Sequence, residues 1–339
     1  MQTDLITKSR KKMLTGKELI LATKPYAKED RKKSWIYTLS TLFLLITALL
    51  GTLLMPYMLI KLTCSIFAGL LMVRMFVIYH DYLHHAILTK SHLAEFIMTI
   101  FGIYILAPIS IWKRSHDYHH KHNSKLFSAS IGSYPILTRK KYLSLNRGQQ
   151  RAYLASRHPI TILLGYFSMF LVGMSFRSFY SSPRKHFDSF IALFIHATAT
   201  VLIFWLLGWQ AWLLTIFIPF SIGCCIGAYL FYAQHNFPGV TFNNNECWNY
   251  EQAATESSSF LVMTPFMAWM TANIGYHHIH HLNARIPFYR LKEAMDAIPE
   301  LQAVKTTSLS AKDISACFRL KCWDPELNKM VGMKELTLI

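Results

Sequence analysis

Four long apolar runs, at 35–60, 63–79, 188–207 and 211–232, constrain this chain more than any other feature. A helix needs about 20 apolar residues to cross a bilayer, and within lipid only helices and closed barrels satisfy their own backbone. The composition agrees, with 53% hydrophobic and only 16% charged residues, against roughly 25% charged in a soluble domain. Two further runs, at 96–111 and 160–176, are short and are expected to be re-entrant or interfacial. The expected fold is an all-α integral membrane protein with about four transmembrane helices.

The formal net charge is +17. Nucleic acid would suit such a charge, but no recognition motif is present, and the basic residues flank the apolar runs. Contact with anionic lipid headgroups explains them better. The six cysteines form no CxxC pair, so neither a disulfide framework nor a thiolate metal site is expected. The first residues are polar and basic, unlike a cleavable signal peptide.

Three segments then stand out: His80-Asp81-Tyr82-Leu83-His84-His85, His116-Asp117-Tyr118-His119-His120 and His277-His278-Ile279-His280-His281. Histidine next to an apolar span is costly and usually functional, and neutral imidazole is a preferred nitrogen ligand for transition metals. On a helix, residues i, i+3 and i+4 share a face. His116, His119 and His120 fit that spacing, as do His277, His280 and His281. His80 and His84 share a face, whereas His85 is rotated about 140° from His80 around the helix. Either His85 is not a ligand or the helix unwinds there. About eight imidazoles exceed what one six-coordinate metal takes and suit two. Zinc is a weaker candidate, because its sites close with three or four protein ligands.

Parity supports a common site. With four spans and two short runs that do not cross, His80, His116, His235 and His277 all emerge on the side that holds the N-terminal segment. The Lys/Arg-rich lead and the 113–186 region place that side, with both termini, in the cytosol.

The three segments, in this order around a transmembrane hairpin, resemble the histidine boxes of the membrane fatty acid desaturases. Asn273-Ile-Gly-Tyr-His-His-Ile-His-His-Leu, followed by Arg285-Ile-Pro287, resembles the third box of the acyl desaturase branch. Gln234-His235-Asn-Phe-Pro-Gly239 resembles the segment after its fourth span. The resemblance implies iron ligands at His80, His84 and His85, at His116, His119 and His120, and at His277, His280 and His281, with His235 as a further ligand. It places His278 on a variable position. It implies a di-iron centre, O2 as co-substrate and a fatty acyl or lipid substrate. Asp81, Asp117 and Asn273 are candidates to orient the ligands, since a ligating imidazole commonly donates its other N–H to a carboxylate or carbonyl.

His158-Pro159 is not followed by two glycines, so no fused haem domain is expected. A separate electron donor of ferredoxin, rubredoxin or cytochrome b5 type is expected instead. The chain divides into a basic cytosolic segment at 1–34, a membrane-embedded catalytic domain at 35–290 carrying the histidine-rich cap, and a cytosolic segment at 291–339. Acyl desaturation is the expected reaction. The alternatives are a hydroxylase or a decarboxylase forming terminal alkenes at the same kind of centre.

Overall fold

The structure is a computed structural model that describes residues 13–126 and 134–336. Four helical segments among these residues are long and apolar enough to cross a membrane. They are α1 (Arg31–Leu54), α2 (Met58–Leu83), a later span at Phe187–Leu207 and a last one at Trp209–Ala233. The expected number is thus observed, but the first boundary differs. The break falls at Met55, just before Pro56, rather than near Lys61. Proline supplies no N–H and disfavours helix in the residue before it. Lys61 sits in the first turn of α2, where its long side chain is half-buried.

Asp30 caps α1 by accepting from the Lys33 N–H at 3.1 Å. The second half of α2, from Leu71 to Asp81, is buried on every side, so this helix is the axis of the molecule. It packs against α1 and against the last span. There Gly69 lets two backbones meet: a Cβ on Gly69 would lie 2.9 Å from the Pro219 carbonyl oxygen. Small residues at helix crossings permit such close approach in membranes.

After α2 come α3 (His92–Tyr104) and α4 (Ile109–His122), which form a sharp bend of 91°. Leu106 adopts φ 60° in the bend, and Pro108 precedes α4. The Tyr104 hydroxyl touches Met72 Sδ at 3.8 Å. Met72 lies about 12 Å below His80 along α2, at 1.5 Å per residue. α4 then climbs back, so that His116 meets His80. The pair thus folds back on itself and returns to the end of α2.

The other short run forms helical pieces across 159–181, with an i→i+5 helix at Tyr166–Phe176. None is long enough to span. The Ser175 hydroxyl ties this segment to the α3–α4 bend by donating to the Leu106 carbonyl at 3.0 Å. Next come α5 (Phe187–Leu207) and, past Gly208 at φ 87°, the last span. Its final part is α6 (Ile218–Ala233). α7 (His277–Leu282) carries the third box.

Two small sheets lie outside the helical plan. Phe260–Val262 pairs in parallel with Thr306–Ser308, and Leu320–Asp324 pairs antiparallel with Lys329–Gly332. The first ties the segment before α7 to residues beyond it.

Arg74, within α2, pins these parts together. Its Nε donates to Thr41 of α1 at 3.1 Å, and another guanidinium N–H donates to the Trp269 carbonyl. Its guanidinium lies 3.9 Å from the Trp269 ring centre. A buried cation satisfied only by neutral partners depends on all of them. Arg74→Ala should therefore destabilise the protein by about 1–3 kcal/mol, removing the bond to the buried Thr41 hydroxyl and one of the two donors to the Trp269 carbonyl. Thermal unfolding in micelles checks this; an unchanged midpoint would show that the clamp carries no load.

Candidate metal centre

Four elements deliver imidazoles to one place. The end of α2 brings His80 and His84, and α4 brings His116, His119 and His120. His235 follows the last turn of α6, and α7 brings His277, His280 and His281. The rings form two groups: His80, His84, His116, His120 and His280 in one, and His119, His235, His277 and His281 in the other. Within each group one ring nitrogen per residue lies within 4.8 Å of all the others.

Helical spacing explains the division. His116 and His120 are one turn apart and enter the first group, while His119 is rotated by about 100° from His120 and enters the second. On α7 the turn-related pair His277 and His281 joins the second group, and His280 joins the first. The groups sit back to back, with the His120 and His281 rings stacked at 4.2 Å.

The nitrogen contacts fit a bound cation. In the first group Nε2 atoms approach at 2.8 Å (His80 to His116), 3.1 Å (His116 to His120) and 3.0 Å (His120 to His280). In the second they approach at 3.0 Å (His119 to His235), 2.9 Å (His235 to His277) and 3.1 Å (His277 to His281). A neutral imidazole has one N–H. Protons on every Nε2 would set N–H against N–H, and protons on every Nδ1 would set lone pair against lone pair. The Nδ1 atoms of His116, His120, His277 and His280 are buried without a hydrogen-bond partner, as is Nε2 of His84. A cation inside each group resolves the conflict among the Nε2 atoms and gives the His84 Nε2 a partner.

The outer partners favour the ligating tautomer at two positions. His80 Nδ1 lies 3.1 Å from Asp81 Oδ1, so a proton there leaves Nε2 free. His235 Nδ1 lies 2.9 Å from the Ser257 carbonyl with the same effect. The other Asp81 oxygen accepts from the Phe288 N–H at 2.7 Å, and the Asn273 amide donates to the Phe288 carbonyl at 3.3 Å. Asp81 and Asn273 thus hold one loop beside the third box. Asp117 is placed differently: it is half-exposed and pairs with Lys113 at 2.9 Å.

His85 belongs to neither group. It is exposed and adopts φ 58°, while His84 caps α2 in helical geometry. The helix unwinds just after His84, turning that ring inward and His85 outward. His278 also lies outside the groups but is fully buried, with Nε2 3.0 Å from the Leu301 carbonyl.

An apolar wall lines the other side of the centre. Val73, Phe76, Val77, Leu230, Phe231 and Ile274 form an apolar cavity against His80, His116 and His277. Trp112 stacks on His116 at 5.0 Å. These residues come from four separate elements, so no local spacing announces them.

Comparison with known proteins agrees with this geometry. The profile of the fatty acid desaturase family matches residues 56–307. The chain belongs to that family. A fatty acid desaturase of Bacillus subtilis is 31% identical over 94% of this chain and 91% of its own length. An oleoyl-12-hydroxylase of Ricinus communis is 27% identical over 69% of this chain and 64% of its own. An sn-1 acyl-lipid omega-3 desaturase (ferredoxin) of Nostoc is 25% identical over 66% and 63%. The matched region contains all nine rings of the two groups, on a membrane protein of four candidate spans.

Burial, reinforced by neighbouring rings, holds His84, His116, His119, His120, His277, His280 and His281 well below the ordinary imidazole range. Burial brings His235 down to about 4, although its bond to Ser257 opposes this. The rings are therefore neutral and able to ligate near pH 7. The unfolded chain takes up protons first as pH falls below the ordinary value of 6.5. Stability of the metal-free protein should thus be full above that value and decline between 6.5 and about 4. Melting curves after chelation would check this; a midpoint constant from pH 7.5 to pH 5 would contradict neutral rings.

His278 separates burial from ligation. His278→Ala should cost about 1–3 kcal/mol through the unpaired Leu301 carbonyl, yet leave turnover largely intact. His277→Ala should abolish turnover. Paired melting and activity measurements check this, and equal loss of activity would contradict the division into groups.

Proposed function

We propose that this chain oxidises the acyl chain of a membrane-held fatty acyl substrate with O2 at a pair of irons, and that the outcome is desaturation. The observation that carries the reading is the meeting of two all-imidazole groups with one apolar cavity. His80 and His116 from the first group and His277 from the second line that cavity. A methylene there would face both groups at once. The proposed ligands are the rings of the two groups, including His235 and without His85.

Irons held there would supply O2 activation and hydrogen removal from an unactivated C–H bond. The chain's own residues supply placement. Val73, Phe76, Val77 and Ile274 offer an acyl segment an apolar wall, which fixes the methylenes presented to the centre. Asp81 and the Ser257 carbonyl fix the rings of His80 and His235. Desaturation consumes O2, two electrons and two protons and yields the alkene and two waters. A separate donor supplies the electrons. A ferredoxin-type donor is supported by the Nostoc relative, which is named for ferredoxin. The basic segments on the side of the imidazole groups support a cytosolic location for the centre and both termini.

Hydroxylation consumes the same O2 and electrons, and the Ricinus relative is named for it. Mass spectrometry of lipids from cells expressing the chain separates the outcomes. The expected product is an internal alkene with unchanged carbon number. A hydroxylated chain, or a 1-alkene one carbon shorter, would overturn the assignment to desaturation.

A further inference from the structure

A second, wider cavity lies away from the imidazole groups, on the far side of α4. It measures about 920 Å³ and runs between α4 and the 159–181 segment. Ligand-binding clefts are typically about 300–1,000 Å³. α4 serves both sites: Ile111, Arg114 and Ser115 face the groove at i, i+3 and i+4, and His116 and His120 face the centre.

The groove lining is amphiphilic. Arg114 and Arg177 contribute guanidinium groups, and Met169, Met174 and Phe176 contribute apolar surface. Both arginines are exposed, and among the described residues neither makes an ion pair or hydrogen bond. Nearby carboxylates are engaged elsewhere: Asp117 with Lys113, and Asp188 with Ser110. The wall at 159–181 also exposes Leu163, Leu164, Phe167, Val172 and Phe176. Exposed apolar side chains on a short, non-spanning segment of a membrane protein suit the bilayer interface.

Phe231 connects this groove to the centre. Its half-buried ring lines both the groove and the apolar cavity beside His80, His116 and His277. It lies 5.1 Å from Trp112 and 6.4 Å from His116. The apolar cavity holds only about 40 Å³, room for about one water. An acyl chain reaches the centre only if something in its wall moves, and Phe231 is the side chain shared with the larger space.

We propose that Arg114 and Arg177 bind the phosphate of an intact membrane phospholipid in this groove, and that Phe231 is the gate through which one of its acyl chains passes to the imidazole centre. The inference rests on the reading of the centre as an acyl oxidase, and it names the carrier. A planar guanidinium matches phosphate oxygens in two-point hydrogen bonds. The interfacial wall favours a carrier that resides in the bilayer over a soluble thioester.

The test uses the full-length, iron-loaded protein and native mass spectrometry. The probes are dipalmitoyl phosphatidylglycerol, dipalmitoylglycerol without phosphate, and palmitoyl-CoA. The wild type should retain the phospholipid over the diacylglycerol. The double variant Arg114→Gln/Arg177→Gln should lose that retention by about tenfold, with diacylglycerol retention unchanged. Phe231→Trp should keep phospholipid retention while product per bound lipid falls. Equal retention of the two diacyl probes by the wild type, an unaltered double variant, or displacement of the phospholipid by palmitoyl-CoA would overturn the headgroup site. Full turnover in Phe231→Trp would overturn the gate. Selective phospholipid retention without acyl oxidation in the wild type would support the headgroup site while sinking the proposed function.

Discussion

Nine imidazoles packed ring against ring inside one protein set the terms for everything else here. Neighbouring Nε2 atoms approach at 2.8–3.1 Å, and burial keeps rings such as His116 and His120 neutral. Such a cluster gains little from its own contacts, and its donor set suits transition-metal cations. It persists in the fold only if several rigid elements hold it from outside. α2 does so through Asp81, Phe288 and the Arg74 clamp on Trp269. The Ser257 carbonyl fixes His235, and Leu301 anchors α7 through His278. The constraint also dictates topology, because every ligand-bearing end must arrive on one side of the membrane. The α3–α4 bend meets that need by returning to the side it left.

Much of this was legible in the chain, for physical reasons that differ by element. The spans follow from apolar length, and the triplets on α4 and α7 follow from helical spacing. The alternatives left open at His85 come down to the end of one helix. The chain turns left-handed at His85, and spacing arithmetic cannot find where a helix stops. Pro56 marked the first turn, yet the apolar run continues across it and blurred the boundary. The short run at 96–111 was recognised as too short to cross, but its 91° bend depends on tertiary contacts with α2. The split into two groups needed the helices' relative rotation. The apolar cavity and the arginine groove needed the whole fold, since their walls come from segments far apart in sequence.

The placement of two sites on opposite faces of α4 links chemistry to substrate delivery. One face is fixed by the imidazoles, and the other is open and cationic. A single-residue shift of that helix would disturb both. Phe231, on the neighbouring span, lines both the groove and the apolar cavity.

The central claim is that each imidazole group holds its own iron. The most direct measurement is the metal content of protein purified anaerobically after expression in iron-sufficient cells, taken together with its Mössbauer spectrum. The account predicts about two irons per chain in nitrogen-rich coordination, and about one in a variant with His235 and His277 replaced together. A wild-type stoichiometry of one, or zinc filling both groups under iron-replete conditions, would contradict it.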